Sequence, residues 1–262
     1  MLGRLTAVRF DRRMASGKSW PCQLAGLDPD GDEKEVVAKF SDGCERKVAA
    51  LAVEAIAAML AADLDLPVPE PHLVSFDDEF IDLIPEAECE LVARMRASVP
   101  VAFGSTKLPP GFSTLPRENA IPRALRQQAV EIFVFDELIQ NPDRRPENPN
   151  CLLDGNNFAI FDHELAFVTE GIIGWQPPWE QGSLWAANGH VFFPDIRGRQ
   201  LDLRRLKGAW EAISDNRLGQ YRQALPTEWS DDNVVADSAL EYLAQVRDNL
   251  DPVLAEIERV LA

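Results

Sequence analysis

The first 48 residues alternate between apolar and polar positions, and turn-forming residues interrupt this alternation three times. The turn signals are Ser16-Gly17, Asp28-Pro29-Asp30-Gly31 and Ser41-Asp42-Gly43. Glycine, proline and aspartate at such points typically reverse the chain between strands. The pattern therefore predicts short antiparallel strands, of which residues 35–40 form the clearest.

A long amphipathic helix is predicted next, over residues 46–65. Its apolar positions recur at helical spacing, and they are Val48, Leu51, Ala52, Ala55, Ile56, Met59 and Leu60. The sequence Leu66-Pro67-Val68-Pro69 ends the pattern, because proline cannot continue a helix. Strand-like runs follow at residues 73–76, 80–84 and 99–103. A stretch rich in proline, glycine and serine over residues 104–116 then indicates a connection.

The second half of the chain is mostly helical by pattern. A strong apolar periodicity predicts a helix over residues 122–140, and further helices are predicted over 203–214 and 238–261. Residues 141–150 contain three prolines and are expected to form a loop. Two short apolar runs around Asp154-Gly155-Asn156-Asn157 predict a hairpin that ends at Asp162. We therefore expect an α+β fold with two lobes, residues 1–104 with an antiparallel sheet and one long helix, and residues 105–262 mostly helical.

Composition narrows the possible classes of protein. With 262 residues, 46% of them hydrophobic, the chain can bury a sizeable core. Its formal net charge of −17 would repel a phosphate backbone, so nucleic acid is not an expected partner. Neither a membrane span nor a signal peptide is expected. The four cysteines form no C-x-x-C pair, which favours a reduced, cytoplasmic setting without structural zinc.

Candidate chemistry is concentrated in the predicted loop and hairpin. Asp143 and Asn148 show an Asp-x-x-x-x-Asn spacing, and Asp162 follows the hairpin. Upstream, Lys39 ends a predicted strand and Glu54 lies within the predicted long helix. This order of a strand lysine, a helix glutamate and three metal- or acceptor-directed side chains is typical of phosphoryl transfer. Because Glu54 interrupts an alanine-rich helix, we also expect it to have a cationic partner.

Together these segments resemble the HipA-like kinases, and particularly the small stand-alone HipA-like kinase domains. The resemblance spans roughly residues 16–167. The segments that carry it are Val37-Ala38-Lys39-Phe40, Val53-Glu54-Ala55, Leu66-Pro67-Val68-Pro69, Phe103-Gly104-Ser105, residues 135–141, Asp143-Arg144, Asn148-Pro149-Asn150 and Phe161-Asp162-His163. The resemblance implies a fold related to protein and phosphatidylinositol kinases, with ATP and Mg²⁺ as cofactors. It also implies phosphate transfer to serine or threonine of a protein, or to a small-molecule hydroxyl.

The same resemblance implies a role for each matching residue. Lys39 would hold the α- and β-phosphates, and Glu54 would orient Lys39. Asp143 would orient or deprotonate the acceptor hydroxyl, while Asn148 and Asp162 would bind Mg²⁺. A turn formed by Ser16, Gly17, Lys18 and Ser19 would cover the phosphates through its backbone N–H groups.

Several alternatives remain open at this stage. Asn150 competes with Asn148 as a metal ligand, and Arg144 and Arg145 could meet either the γ-phosphate or surface carboxylates. Glu164 stands where the family usually has a small residue, which favours a non-catalytic pseudokinase acting as a nucleotide-gated binding module or antitoxin-like partner. A kinase-fold nucleotidyltransferase is a further alternative. The tryptophans at 175, 179 and 185 either pack the larger lobe or face a substrate.

Overall fold

The computed structural model describes residues 1–15, 17, 19–115, 121–168 and 174–262, with the side chains of 231–233 left out. The chain divides into two compact units. The first comprises Met1–Met59, Pro69–Pro109 and Gln220–Asp237. The second comprises Leu60–Val68, Pro110–Gly219 and Ser238–Ala262. The expected boundary after residue 104 stays a prediction.

Within the described ranges, eight strands form two sheets. The strands are β1 (Gly3–Arg13), β2 (Cys22–Leu27), β3 (Glu33–Lys39), β4 (Pro71–Ser75), β5 (Val101–Thr106), β6 (Ser113–Thr114), β7 (Cys151–Leu153) and β8 (Phe158–Ile160). The first five close into a barrel in the order β1-β2-β3-β5-β4, and the last three form a small sheet in the order β6-β7-β8.

The helices follow the apolar patterns closely. They are α1 (Lys47–Asp63), α2 (Asp78–Asp82), α3 (Cys89–Ala97), α4 (Arg126–Leu138), α5 (Phe193–Ile196), α6 (Arg204–Glu211), α7 (Asp215–Ala224), α8 (Asn233–Asp248) and α9 (Leu250–Leu261). Short 3₁₀ turns lie at Ser41–Gly43, Glu86–Glu88, Arg123–Leu125, Ala187–Gly189 and Thr227–Asp232.

The barrel of the first unit corrects the expectation of a purely antiparallel sheet. Strand β1 pairs with β4 in parallel, from Gly3 opposite His72 to Thr6 opposite Ser75, while the other pairings are antiparallel. The parallel pairing closes the barrel, so neither β1 nor β4 is left as an exposed edge along these residues. Alternation in the sequence reports which side chains face inward but carries no information on strand direction.

The interior of this unit is an apolar cluster filled from the strands and from the two helices that follow β4. Its fully buried members include Leu24, Val36, Ala38, Val74 and Met95. Alternate positions along β3 supply Val36 and Ala38 to the core, as the two-residue period of a strand requires. Burial of these side chains fixes the register of β3, and therefore the position of Lys39 at its end.

Two predicted elements differ in the structure. Residues 80–84 were expected to form a strand, but residues 80–82 lie in α2 and Leu83 caps its C-terminal end. The Asp77 carboxylate accepts a hydrogen bond from the backbone N–H of Phe80 at 2.9 Å. This N-cap, and the adjacent buried Phe80 and Ile81, favour a helix over an alternating strand. The predicted helix over 238–261 is two helices, since the chain breaks at Asn249 and Pro252 is tolerated only in the first turn of α9.

The second unit is built around α4, whose side chains are buried on nearly all sides. Ala129, Ile132, Phe133, Val134 and Phe135 are completely inaccessible to solvent. The hairpin of β7 and β8 pairs Cys151 with Ile160, as the sequence predicted. No described helix combines the length and apolar character that crossing a membrane requires. All four cysteines are free thiols.

Gly43 gives a direct test of packing in the first unit. A Cβ atom at this position would overlap the backbone carbonyl of Ser19, whereas a Cβ at Gly208, in α6, would meet nothing within 4 Å. We expect Gly43→Ala to destabilise the protein by roughly 1–3 kcal/mol through overpacking. Gly208→Ala should be neutral or stabilising by up to about 1 kcal/mol, because alanine is the better helix former. Urea unfolding of both variants measures this, and equal stabilities would contradict the packing.

Candidate active site

In the first unit, Lys39 and Glu54 form a nearly buried ion pair. The Nζ atom of Lys39 lies 3.5 Å from the Oε2 atom of Glu54, and their side chains are only 12% and 3% exposed. Lys39 ends β3, and Glu54 lies in the middle of α1 among completely buried alanines and leucines. The expected cationic partner of Glu54 is therefore present, and its partner is the lysine that the sequence singled out.

The turn expected to cover the phosphates is described only in part. Ser16 and Lys18 lie outside the described residues. Gly17 has φ of +111°, a conformation that glycine adopts without steric cost, and the backbone N–H of Met14 donates to the carbonyl of Pro21 across the turn at 2.9 Å. Ser19 is buried. The role of this turn stays a prediction.

In the second unit, the loop at residues 141–150 brings two of the predicted catalytic side chains, Asp143 and Asn148, into contact. The side-chain amides of Asn148 and Asn150 both donate to the same oxygen, Oδ2 of Asp143, at 2.7 and 3.0 Å. Asn148 is exposed, whereas Asn150 is buried and has φ of +42°. These two hydrogen bonds fix the orientation of the Asp143 carboxylate.

The loop is held by Arg144, whose side chain is completely buried. Its guanidinium donates to both carboxylate oxygens of Asp136, with Nε at 2.5 Å from Oδ2 and Nη2 at 3.3 Å from Oδ1. Nη1 donates to the backbone carbonyls of Pro149 and Asn150, and Nη2 lies 2.9 Å from Nε2 of His163. One side chain thus connects α4, both ends of the catalytic loop and the residue after Asp162.

Asp162 is fixed by contacts on either side of it. The preceding residue, Phe161, donates its backbone N–H to the carbonyl of Asn150 at 3.2 Å, and the following residue, His163, contacts Arg144. Asp162 itself has φ of +62°, a left-handed conformation that costs a non-glycine residue about 1–2 kcal/mol. Such strain persists only where the surrounding contacts determine the backbone, and it is often found at functional sites.

The charges and hydrogen bonds around Asp136 explain why its carboxylate stays ionised in this interior. Burial alone would raise its pKa, but the charge of Arg144 and the hydrogen bond from His190 outweigh burial and hold the pKa well below its usual range. Asn141 adds a further hydrogen bond to Asp136 at 2.7 Å. His190 accepts the backbone N–H of Phe192 at Nδ1, so its Nε2 carries the proton donated to Asp136 at 3.1 Å. The carboxylate therefore stays ionised and paired.

Sequence reasoning missed most of this buried network. Arg144 was expected to meet either the γ-phosphate or surface carboxylates, and the structure instead pairs it with Asp136 in the interior. His190 is the second partner of Asp136, and its position 54 residues away gave no signal of this contact. The available signal was Asp136 itself, because it follows three consecutive buried apolar residues of α4 and so required a partner.

The donor atoms at this site suit magnesium better than a transition metal. No group of three histidine, cysteine, aspartate or glutamate side chains that could hold a metal occurs among the described residues. Mg²⁺ needs only one or two protein oxygens, because waters and substrate phosphates complete its shell. The Asn148 amide nitrogen already donates to Asp143, so its carbonyl oxygen is the atom suited to a metal. This oxygen and the Asp162 carboxylate fit the requirement.

The Asp136–Arg144 pair makes a prediction about stability. Removing one partner of a buried ion pair leaves the other charge unpaired, so Arg144→Met should destabilise the protein by about 3–5 kcal/mol. The neighbouring Arg145 is exposed, and Arg145→Met is a matched control that should change stability by less than about 0.5 kcal/mol. Urea unfolding of both variants tests this, and similar midpoints would show that the pair contributes little.

Comparisons with known proteins bear on the family and the fold of this chain. The family model described as HipA-like kinase matches residues 12–256. The structure of a Helicobacter pylori proinflammatory kinase, CtkA, is similar over 100% of both chains with a TM-score of 0.53 and 12% identity, which supports a shared fold. A MAP kinase from Leishmania major is 11% identical over 94% of this chain and 83% of its own, with a TM-score of 0.27, too low to support an argument. No curated protein sequence matches. The match over nearly the whole length shows that the chain belongs to the HipA-like kinase family.

Proposed function

We propose that this protein is an active ATP- and Mg²⁺-dependent phosphotransferase that phosphorylates a hydroxyl group of a protein serine or threonine, or of a small molecule. Membership of the family implies nucleotide use. The observation that carries the proposal of activity is the arrangement of Asp143, whose carboxylate is oriented by two amide donors in a loop locked by Arg144.

Lys39 would contribute the positive charge on the α- and β-phosphates. Its ion pair with Glu54 supports this role, because a carboxylate that is itself 3% exposed holds the ammonium in one position. Positioning and charge stabilisation account for most of the catalysis in phosphoryl transfer, so a preoriented cation is the contribution expected from this unit.

Asp143 would accept, or orient, the proton of the attacking hydroxyl. Because one carboxylate oxygen receives both asparagine amides, the other oxygen is the atom suited to the acceptor. Asn148 and Asp162 would hold Mg²⁺, which on binding neutralises charge on the phosphates. Arg144 takes no direct part in this chemistry, and its role is to position Asp143 and the segment that carries Asp162.

The pseudokinase and nucleotidyltransferase alternatives predict different products. We expect a Mg²⁺- and ATP-dependent rise in melting temperature, and ATP consumption that falls by at least ~10²-fold in Asp143→Ala and in Asp162→Ala. Mass spectrometry of the products separates the three functions, since phosphate adds roughly 80 Da and an adenylyl group roughly 329 Da. A pseudokinase would bind ATP and add neither group.

Arg199→Met serves as the control for these variants, because Arg199 is exposed and lies outside the loop and the hairpin, and no catalytic or binding role is proposed for it. Lys39→Met should weaken ATP binding, and it should also destabilise the protein by roughly 1–3 kcal/mol, because it removes a cationic partner of the buried Glu54 carboxylate. Turnover that survives in Asp143→Ala, or a melting temperature that Mg²⁺ and ATP never raise, would contradict the proposal.

The two asparagines of the loop are expected to separate by function. Asn148 is exposed and contacts Asp143, whereas Asn150 is buried and has φ of +42°, a left-handed conformation that asparagine tolerates better than alanine. We therefore expect Asn148→Ala to raise the Mg²⁺ concentration needed for half-maximal activity at unchanged stability. The main effect of Asn150→Ala should be a lower melting temperature. Activity and thermal unfolding of the two variants test this, and the reverse pattern would make Asn150 the metal ligand.

A further inference from the structure

A second concave site lies beside the catalytic loop, within the second unit. It is a cavity of about 390 Å³ bounded by the end of α4, by the first residues of the loop and by the chain around residues 174–190. Pro142 and Arg145 line it, so its wall includes residues on both sides of Asp143 along the chain. A group bound here would contact the two residues that flank this segment of the loop. The carboxylate between them, that of Asp143, is the one proposed to receive the acceptor hydroxyl.

Glu137 provides the carboxylate in this cavity that could bind a cation. Its carboxylate has no hydrogen-bond donor or cation within contact distance in the described part of the chain, unlike its neighbour Asp136, which is paired with Arg144 and His190. Burial, together with the nearby charge of Asp136, raises the pKa of Glu137 to about 8. A cation entering the cavity would favour the ionised carboxylate and satisfy it.

Aromatic side chains form another part of the wall. Trp185 is 81% exposed, although a side chain of this size is normally buried in a soluble protein. The indole N–H of Trp175 donates to Oε1 of Gln140 at 3.2 Å, which fixes that ring at the cavity. Tryptophan faces attract ammonium and guanidinium groups and also pack well against their aliphatic stems.

We infer that this cavity binds a lysine or arginine side chain of the phosphate-accepting protein, with the cation on Glu137 and the aliphatic stem against Trp175 and Trp185. This inference rests on the proposed function, and it selects a protein with a basic residue near its phosphoacceptor as the substrate class. The net charge of −17 favours a basic partner as well.

An anionic ligand fits the cavity less well. Arg145 is the cation at the rim, but it is exposed and its Nε already donates to the carbonyl of Pro142 at 2.6 Å. Solvent and salt screen an exposed charge more strongly than a buried one. The guanidinium of Arg144 also borders the cavity, but Asp136 pairs with it at 2.5 Å.

The test is a titration of the whole protein in the absence of ATP. NMR of the tryptophan indole N–H signals monitors the binding. The probes are the N-acetyl methylamides of lysine, norleucine and glutamate. We expect the lysine probe to shift the Trp175 and Trp185 signals, which Trp175→Phe and Trp185→Phe identify. Norleucine, which keeps the apolar stem and lacks the charge, should bind at least about tenfold more weakly.

Glu137→Gln should weaken the lysine probe by about tenfold, whereas Glu180→Gln, an exposed residue of the same segment outside the cavity wall, should not. The comparison of lysine with norleucine needs only the wild-type protein, so it decides the matter even if Glu137→Gln does not fold. Equal binding of both probes, tighter binding of the glutamate probe, or unchanged lysine binding in a folded Glu137→Gln would each overturn the inference.

A second measurement links the cavity to phosphate transfer. Serine peptides with lysine or arginine near the acceptor should be phosphorylated faster than norleucine peptides, and Glu137→Gln should remove this preference. ATP turnover without lysine binding contradicts the cavity inference alone. Lysine binding without any phosphate transfer supports the cavity and contradicts the proposed function.

Discussion

The pairing of Arg144 with Asp136 is the interaction on which the candidate site depends. A guanidinium and a carboxylate, both without solvent exposure, lie in an interior otherwise filled by phenylalanine, isoleucine and valine. Neither charge could remain there alone, because desolvation would cost several kcal/mol for each. Arg144 also donates to two loop carbonyls and contacts His163. The positions of Asp143, Asn148 and Asp162 therefore follow from one buried ion pair.

The first unit uses the same physical principle on a smaller scale. Glu54 is placed in an alanine-rich helix where an unpaired carboxylate would be destabilising, and Lys39 compensates it. In both units a buried carboxylate is compensated by a cationic side chain in contact with it. Glu137 is the exception, since it borders a cavity and has no partner among the described residues, and a ligand that supplies the missing cation would complete the pattern.

Much of the fold and of the candidate site could be predicted from the sequence, because the signals lie in residues that are neighbours along the chain. Periodicity located α1 and α4, proline marked the loop, and the spacing of Asp143 and Asn148 anticipated that their side chains meet. The parallel pairing of β1 with β4 and the contact of Arg144 with His163 could not be predicted, because each joins residues distant in the chain. Asp136 and His190, for example, are 54 positions apart and meet only in the folded protein. The helix α2 did have a local signal, the N-cap Asp77.

The central claim is that Arg144 and Asp136 act as one unit that positions the catalytic loop. A double-mutant cycle of Arg144→Met, Asp136→Leu and the double variant, measured both by urea unfolding and by ATP turnover, tests this most directly. Because breaking a buried pair leaves a lone charge, the account predicts that the double variant is at least as stable as either single variant, with a coupling energy of about 3 kcal/mol or more. Turnover should stay low in all three. Additive losses of stability, or normal turnover in the double variant, would contradict the account.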